Sequence, residues 1–166
     1  MSPLPEFYFI RPATVEDVSA IVALVNVAFN VETNLKIFLE GVRTDEKNVT
    51  DLMQKGEFFL MEEKSGNILS SIYIEVRGER GYFGMLAVEP ALQGRGLGRA
   101  MVEFAENYCR ERGCTIMDLK VLSPRVELLP YYHKLGYEDM GTDAFRPSRP
   151  IREGVECHLI LMSKPL

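Results

Sequence analysis

Hydrophobic and polar positions along this chain follow two spacings, and the order in which they occur predicts the architecture. Apolar residues recur three or four positions apart in segments that begin near Thr14, Thr44, Leu97 and Val126, which is typical of amphipathic helices. Strand-like runs occupy 7–11, 58–62, 68–76, 82–88, 115–122, a stretch from 137, and 156–162. The order β-α-α-β-β-β-α-β-α-β-β predicts an α+β domain of three α/β/α layers. Its mixed, mostly antiparallel sheet of about seven strands would carry helices on both faces.

Two helix starts carry sequence signals, whereas the segment between those helices does not. Thr14 is followed by Asp17 three residues later, which is close to a capping box. The second helix is predicted to begin with Thr44 as its N-cap and to end at Gly56. No element is assigned to residues 30–43, which fit neither period. They are nevertheless too apolar for a free linker, with Leu35, Ile37, Phe38, Leu39 and Val42.

Length and composition are those of an ordinary globular protein. The 166 residues are predicted to form a single domain, 1–166, that is large enough for a substantial core. Hydrophobic residues make up 46% and charged residues 26%, and no apolar run approaches the roughly 20 residues that span a bilayer. Two early prolines and the lack of a basic region argue against a signal peptide. We therefore expect a cytoplasmic protein that does not bind a membrane.

Cysteine content and net charge exclude several function classes. Cys109, Cys114 and Cys157 form an odd set without CxxC spacing or a nearby histidine pair. We therefore expect neither a metal site nor a disulfide framework, and we interpret all three as small core residues. The net charge of −5 argues against nonspecific binding to nucleic acids, which requires a broad basic surface. An anionic ligand would depend on local positive charge.

A glycine-rich loop between a strand-like run and a helical segment is the most informative motif. In LAVEPALQGRGLGRAMV (86–102), glycines occupy positions 94, 96 and 98. Each glycine inside a helix would cost about 1 kcal/mol relative to alanine, so backbone access is the better explanation for them. Without Cβ atoms, a ligand can reach the unpaired N–H groups of the first helical turn, where the helix dipole favours anions. The motif therefore predicts a phosphate site.

The spacing of this loop discriminates between nucleotide-binding motifs. A Walker A loop would need GxxxxGK followed by serine or threonine, which the sequence lacks. A dinucleotide fingerprint, counted from Gly94 and Gly96, would need glycine or alanine where Arg99 stands. What remains is Gln93-x-x-Gly96-x-Gly98, preceded by Leu-Ala-Val and a proline. This pattern resembles the acetyl-CoA loop of the GCN5-related N-acetyltransferase (GNAT) family.

A second motif strengthens the resemblance. The string LPYYHKLGY (129–137), which follows the strand-like run 115–122, is similar to the Tyr-x-Lys-Leu-Gly-Phe-like string in the second half of that family. The two motifs together cover roughly residues 82–140. The resemblance implies the GNAT acyl-CoA N-acyltransferase fold, in which two parallel strands, here 82–88 and 115–122, splay apart around acetyl-CoA. Gly84 is predicted either to mark a β-bulge or to make room for a packed helix.

The resemblance also implies which residues bind the cofactor, acetyl-CoA. Its pantetheine arm would run along the first splayed strand, and its pyrophosphate would accept hydrogen bonds from the glycine loop. The implied cofactor-binding residues are Leu86, Ala87, Val88, Gln93, Gly94, Arg95, Gly96, Leu97, Gly98 and Arg99. The backbone N–H of Val88 is the natural donor to a developing oxyanion. The side chains of Arg95 and Arg99 are expected either to contact phosphate or to be solvated.

The resemblance assigns a general acid but no general base. Tyr132 occupies the position of the family's usual acid, close to the departing sulfur, although an ordinary amphipathic tyrosine is the alternative. Tyr82 and Lys120 stand where relatives carry carboxylates. Arg125 replaces an asparagine that contacts the cofactor in many relatives, and it could reach a phosphate or cap the last helix. Three carboxylates could act as a base through water or be ordinary surface acids: Glu75, Glu79 and Asp118. The two histidines, His133 and His158, are further candidates.

The resemblance implies an acetyl-CoA-dependent N-acetyltransferase that acetylates a primary amine directly within a ternary complex. Acidic residues at Glu32, Glu40 and 75–79 favour a small cationic acceptor over a peptide or protein terminus, with 30–43 forming much of the acceptor wall. The alternative is a noncatalytic acyl-CoA sensor on the same fold, which the missing base favours. No metal is expected. A homodimer is compatible with the sequence, which indicates no surface for it.

Overall fold

The computed structural model describes residues 7–32 and 36–166, and within these ranges the predicted order of elements is confirmed. The strands are β1 (Tyr8–Pro12), β2 (Glu57–Glu63), β3 (Ile68–Arg77), β4 (Arg80–Val88), β5 (Ile116–Leu122), β6 (Glu138–Ala144) and β7 (His158–Pro165). The helices are α1 (Val18–Glu32), α2 (Glu46–Met53), α3 (Leu97–Glu111) and α4 (Leu128–Lys134). None of these helices is long and apolar enough to cross a membrane. The signal-peptide argument at residues 1–6 and the predicted packing of Leu35 lie outside the described residues.

The strands form one mixed sheet in the order β1-β2-β3-β4-β5-β7-β6. All neighbours pair antiparallel except β4 and β5, which are parallel, so the predicted α+β sheet is confirmed. β4 and β5 pair only from Arg80 opposite Ile116 to Tyr82 opposite Asp118. Beyond Tyr82 the two strands splay apart, as the fold requires. The resulting gap is where a ligand can enter the sheet.

Alternating residues of β2 show that the sheet has a core on each face. Phe59 and Met61 are buried with the apolar side of α3, whereas Phe58 and Leu60 are buried with that of α1. Successive side chains of a strand point to opposite faces, so this alternation requires a helix layer on both sides. The predicted three-layer arrangement is therefore confirmed.

The turn before α1 is capped as predicted, but α2 begins one residue later than predicted. The N–H of Thr14 donates to Oδ2 of Asp17 at 2.7 Å within the capping box that precedes α1. The N-cap of α2 is Asp45, whose Oδ1 accepts from the N–H of Asn48 at 2.7 Å. Thr44, the predicted cap, is fully buried, and its hydroxyl donates to Oδ1 of Asn48. The prediction was wrong because the core contacts of Thr44 are long-range and local propensity does not contain them.

Two glycines have roles that differ from the predicted ones. α2 ends before Gly56, where an added Cβ would lie 2.5 Å from the carbonyl oxygen of Ile74 on β3. Gly84 borders a β-bulge rather than forming it, because the bulge follows at Met85, which has a φ of +52°. A Cβ added at Gly84 would meet the hydroxyl of Tyr82 rather than a packed helix. Since a bulge bends its strand, this one helps to turn β4 away from β5.

The segment after α1 packs against the connection between β6 and β7. Phe38 forms an isolated β-bridge with Ile151, and the N–H of Arg152 donates to the carbonyl oxygen of Ile37 at 3.0 Å. Phe29, Ile37 and Phe38 form a small third core with partly buried side chains that include Phe145, Ile151 and Val155. This packing fixes residues 36–45 beside the end of α1.

Candidate active site

A cavity of about 660 Å³ occupies the gap between the splayed strands β4 and β5. Its first side, the glycine wall, consists of residues 86–99, from the end of β4 through the glycine loop to the first turn of α3. Its second side, the arginine wall, consists of α1 residues 25–32 and Arg43. Residues of β5 and α4, together with Arg125, complete the lining. The volume falls within the range of about 300–1,000 Å³ that is usual for small-molecule sites.

The glycine wall presents an open helix N-terminus. Gly94 and Gly96 have φ values of +76° and +85°, a left-handed conformation that glycine adopts without strain. A Cβ added at either position would meet no atom within 4 Å, so the space beside the loop is open. α3 begins at Leu97 without a side-chain cap, and the N–H of Ala100 donates to the carbonyl oxygen of Gly96. The earlier N–H groups have no partner within the helix, and they form a site suited to an anion.

Gly98 serves packing rather than loop conformation. It lies in the first turn of α3, where an added Cβ would approach the hydroxyl of Tyr131 to 3.3 Å and the side chain of Val88 to 3.7 Å. The glycine therefore lets α4 and the end of β4 approach α3 closely. Two glycines of the motif therefore shape the loop and the third makes room for α4, so backbone access to a ligand does not explain all three.

Most of the predicted cofactor-binding residues line this cavity. The eight that do so are Leu86, Val88, Gln93, Gly94, Gly96, Leu97, Gly98 and Arg99. The side chain of Ala87 is buried in the core beneath α1, because it alternates with its two neighbours along β4. Arg95 also lies outside the lining, whereas Arg99 lies within it and donates to Glu103 at 3.2 Å. The loop thus offers its backbone, and Arg99 is the loop arginine that reaches the cavity.

Tyr132 lies in the cavity wall within a cluster of aromatic rings. Its ring centroid lies 6.1 Å from that of Phe83, 5.1 Å from that of Tyr131 and 6.0 Å from that of Tyr137. Only 7% of the residue is exposed, and this burial raises the pKa of its hydroxyl well above that of free tyrosine. None of the described residues forms a hydrogen bond with this hydroxyl. The group is therefore protonated at neutral pH and is available to a ligand in the cavity.

Glu32, at the end of α1, connects the two walls. Its Oε1 accepts from Nε2 of Gln93 at 2.8 Å, and its Oε2 accepts from Nη2 of Arg125 at 3.0 Å. Arg125 also donates to Glu127 at 3.1 Å, and only 12% of its side chain is exposed. In this structure Arg125 does not cap α4 but ties Glu32 to the segment before that helix.

The titratable groups considered as general bases all lie outside the cavity lining; they are Glu75, Glu79, Asp118, His133 and His158. Two of the carboxylates are held in ion pairs, and Nε2 of His133 lies 3.0 Å from Oδ1 of Asp139. Arg80 donates two hydrogen bonds of 2.8 Å to Asp118. Arg77 donates to Glu75 at 2.8 Å, and this bond lowers the pKa of the Glu75 carboxyl. Because a paired carboxylate is a weaker base, the structure adds no candidate to the sequence analysis.

The arginine wall contributes a group that the sequence analysis missed. Arg43 lines the cavity, and Asn26 of α1 holds its backbone in place. Oδ1 of Asn26 accepts from the N–H of Arg43 at 2.8 Å and from that of Thr44 at 2.9 Å. Burial lowers the pKa of the Arg43 guanidinium. The only signal in the sequence was a basic residue at the end of a segment that is too apolar for a free linker.

The acidic residues that favoured a cationic acceptor do not surround the cavity. Glu40 is exposed, and neither it nor Glu75 nor Glu79 belongs to the lining. Glu32 does belong to it, but both of its carboxylate oxygens accept hydrogen bonds from neighbouring side chains. The expectation of a cationic acceptor therefore loses its structural basis.

Comparisons with known proteins agree with this geometry. The model of the acetyltransferase (GNAT) family matches residues 15–137. An acetyltransferase of Yersinia enterocolitica is 34% identical over 86 residues, which make up 52% of this chain and 61% of that protein. The alignment therefore covers less than two thirds of this curated relative.

Solved structures share the fold at low sequence identity. PaiA N-acetyltransferase from Thermoplasma acidophilum, in complex with coenzyme A, has a TM-score of 0.78 at 14% identity, over 96% of this chain and 99% of that one. The structure of yncA from Salmonella typhimurium, with its cofactor acetyl-CoA, has a TM-score of 0.69 at 20% identity, over 97% and 95% of the two chains. The family model covers most of the chain, from the turn before α1 to the residue before β6. The protein therefore belongs to the GNAT family of acetyltransferases.

Proposed function

We propose that this protein transfers the acetyl group of acetyl-CoA to a primary amine. The observation that carries the proposal is the open N-terminus of α3, whose unpaired N–H groups adjoin the cavity between β4 and β5. Membership of the GNAT family supports it. The coenzyme-bound proteins PaiA and yncA, which share the fold, support it as well.

In this proposal the glycine wall binds acetyl-CoA, which supplies an activated thioester. The N–H groups of residues 94–99 bind the pyrophosphate, and the positive end of the helix dipole adds to its stabilisation. The edge of β4 from Leu86 to Val88 has no β5 partner, although the carbonyl oxygen of Val88 accepts from Nε2 of Gln93 at 3.2 Å. The remaining backbone groups on this edge are the ones proposed to bind an extended pantetheine arm. The N–H of Val88 is the proposed donor to the carbonyl oxygen as negative charge develops there.

The transfer itself needs few groups. The neutral amine nitrogen forms a bond to the thioester carbon, the carbon–sulfur bond breaks, and the sulfur leaves with the electron pair as a thiolate. Tyr132 gives its hydroxyl proton to that sulfur and recovers a proton from solvent. Ordinary pKa values of about 8.5 for a thiol and about 10 for tyrosine make the thiolate a tolerable leaving group. Tyr132 therefore assists the step rather than enabling it.

The proton that the amine loses passes to water in this proposal. The two carboxylates in the cavity lining, Glu32 and Glu127, both form ion pairs with Arg125. Because Arg125 engages both of them, neither is assigned as the general base. An amine that is already neutral is therefore the reacting species, and we expect turnover to rise with pH until the acceptor is fully deprotonated.

A thiol-release assay with acetyl-CoA over a panel of primary amines tests the proposal, with isothermal titration of CoA beside it. We expect CoA to bind and thiol to be released with at least one class of amine. Reactions without amine measure the background hydrolysis of the thioester. Failure of CoA to bind would contradict the proposal.

A noncatalytic acyl-CoA sensor is the second candidate. It is favoured by the lack of an unpaired carboxylate among the described residues that line the cavity. In that case CoA binds, but thiol release stays at the background rate with every class of amine. The protonated hydroxyl of Tyr132 in the cavity wall favours the enzyme.

A further inference from the structure

The charges that line the cavity do not balance. The lining contains two carboxylates and four cations, which are Glu32, Glu127, Arg43, Arg99, Lys120 and Arg125. Arg125 forms ion pairs with both carboxylates at 3.0 and 3.1 Å, and Arg99 pairs with Glu103 at 3.2 Å. None of the ion pairs between described residues includes Arg43 or Lys120. Two positive charges of the lining therefore have no counter-ion within the described part of the chain.

The backbone of Arg43 is held in place, whereas the charge of its side chain has no such partner. Its N–H donates to Asn26 at 2.8 Å, and its carbonyl oxygen accepts from Arg149 at 3.5 Å. Burial lowers the pKa of its guanidinium, Tyr82 opposes this effect, and the charges of Arg149 and Arg125 add to it. An arginine nevertheless stays charged in proteins, and an enclosed charge without a counter-ion is unfavourable. The cavity therefore offers a cation that an anionic ligand can neutralise.

The pyrophosphate of the cofactor is not this anion. Arg43 acts electrostatically on Tyr82, the last residue of β4 that pairs with β5, at the closed end of the gap. Nζ of Lys120 lies 6.0 Å from the centre of the same Tyr82 ring. The glycine loop follows Val88 at the other end of β4, and six residues at about 3.3 Å each separate the two ends by roughly 20 Å. Arg43 and Lys120 therefore belong to the end of the cavity that the acceptor would occupy.

We propose that the acceptor is an amine that also carries a carboxylate, as a free amino acid does, and that Arg43 binds this carboxylate with support from Lys120. The inference rests on the proposed acetyl transfer and names its substrate class. A guanidinium matches a carboxylate with two parallel N–H···O bonds. An acceptor that carried only positive charge would be repelled by both cations. The geometry thus reverses the expectation of a cationic acceptor.

Matched acceptors test this proposal. Thiol release from acetyl-CoA is measured as kcat/KM for the common amino acids, for their carboxamides and for their decarboxylated amines. Within each set the side chain stays the same and only the carboxylate changes. With the wild-type protein, we expect kcat/KM for the preferred amino acid to exceed that for its amide and for its decarboxylated amine by at least about tenfold. The amide and the amine each lack the charge-assisted hydrogen bond to the carboxylate.

Variants of Arg43 assign the preference to this residue. Arg43→Met should lower kcat/KM for the acid about 10-fold to 100-fold and leave the amide within about twofold. Arg43→Lys keeps the charge but loses the two parallel N–H donors of the guanidinium, so it should retain part of the preference for the acid over the amide. The matched control is Arg77→Met, because the Arg77 guanidinium lies 4.8 Å from the centre of the same Tyr82 ring but outside the cavity lining. It should leave the ratio of acid to amide unchanged.

Each outcome bears on one of the two proposals. Equal turnover of acids and amides by the wild type, or an unchanged preference in both Arg43 variants, overturns the inference and leaves the acetyl transfer intact. If none of the amines supports thiol release, the acetyl transfer is contradicted. Titration of N-acetylglycine into the CoA-loaded protein then decides the inference about Arg43. Binding that weakens at least tenfold in Arg43→Met supports it, whereas no binding or equal binding overturns it. If Arg43→Met does not show a cooperative thermal transition, Arg43→Lys provides the comparison.

Discussion

The glycine wall and the arginine wall line the same cavity but are built by different means. The glycine wall is mostly backbone, because left-handed glycines at 94 and 96 and an uncapped helix start leave N–H groups for a ligand. The arginine wall presents mostly side chains, and partners distant in sequence hold it in place. Glu32 of this wall binds Arg125, 93 residues away, and the carbonyl oxygen of Arg43 accepts from Arg149, 106 residues away.

This difference explains why the glycine wall can be predicted from the sequence and the arginine wall cannot. A backbone site needs glycine at fixed positions, so it leaves a motif wherever the same ligand is bound. A side-chain site depends on which residues the fold brings together, and those residues can change while the fold stays the same. We therefore expect the glycine wall to carry what this protein shares with its family and the arginine wall to carry its specificity.

The largest effect is expected at Tyr132, which lines the cavity between the two walls. Tyr132→Phe should lower kcat about 10-fold to 100-fold, the range of acid catalysis, with little change in CoA affinity. Burial raises the pKa of the hydroxyl, so the acid form persists above the ordinary tyrosine value. Wild-type activity should therefore not fall as the pH rises toward about 10. Steady-state kinetics across pH measure both effects.

The matched control for Tyr132→Phe is Tyr108→Phe, which removes a hydroxyl that lies outside the cavity and donates to Glu57. It should leave kcat unchanged. An unchanged kcat in Tyr132→Phe with a good acceptor would remove this residue from the mechanism. The two walls would then be sufficient for transfer without it.

Gly96→Ala breaks the glycine wall alone. Gly96 and Gly113 share a φ of +85°, and an added Cβ would meet no atom within 4 Å at either position. Alanine at either position should cost about 1–2 kcal/mol of folding stability, because the left-handed conformation becomes strained. In Gly96→Ala, relief of this strain turns the loop N–H groups away from the ligand, so CoA should bind about tenfold more weakly. Equal CoA affinity in Gly96→Ala and Gly113→Ala would contradict the assigned role of the loop.

Asn26→Ala loosens the arginine wall without touching the glycine wall. Asn26 binds the N–H groups of Arg43 and Thr44 and donates to the Thr44 carbonyl oxygen at 2.9 Å. Its loss should cost about 1–3 kcal/mol of folding stability, since buried polar groups lose their partners. The KM of the acceptor should rise roughly threefold to tenfold through misplacement of Arg43, with CoA affinity unchanged. A matching loss of CoA affinity, absent from the exposed control Asn107→Ala, would show that the walls are not separable.

The smallest effect is expected at Glu32, the residue that joins the walls. Glu32→Gln keeps the shape of the side chain but removes the charge that binds Arg125. Both CoA affinity and acceptor KM should change by about twofold to fivefold, because one partly exposed ion pair is weakened. A change in only one of these constants would limit Glu32 to one wall. Glu111→Gln, at the exposed end of α3, is the control.

Local chemistry made part of the molecule predictable. The capping box at Thr14 and Asp17 and the element order follow from neighbouring residues, and the structure confirms them. The cap of α2 is Asp45 rather than the predicted Thr44, because Thr44 is buried in the core. No local sequence pattern encodes that burial. Arg43 was missed for the same reason, since its position depends on α1 and on the connection between β6 and β7. Sequence patterns therefore predicted the features that depend on residues adjacent in the sequence. The features that depend on long-range contacts became visible only in the structure.

The most direct test of this account is a crystal structure of the protein with CoA bound. We predict that the pyrophosphate lies within hydrogen-bonding distance of the N–H groups of residues 94–99 and that the pantetheine arm follows Leu86 to Val88. We further predict that the guanidinium of Arg43 makes no contact with the cofactor. A pyrophosphate bound at Arg43, or a cofactor bound outside the gap between β4 and β5, would contradict the division of the cavity into two walls.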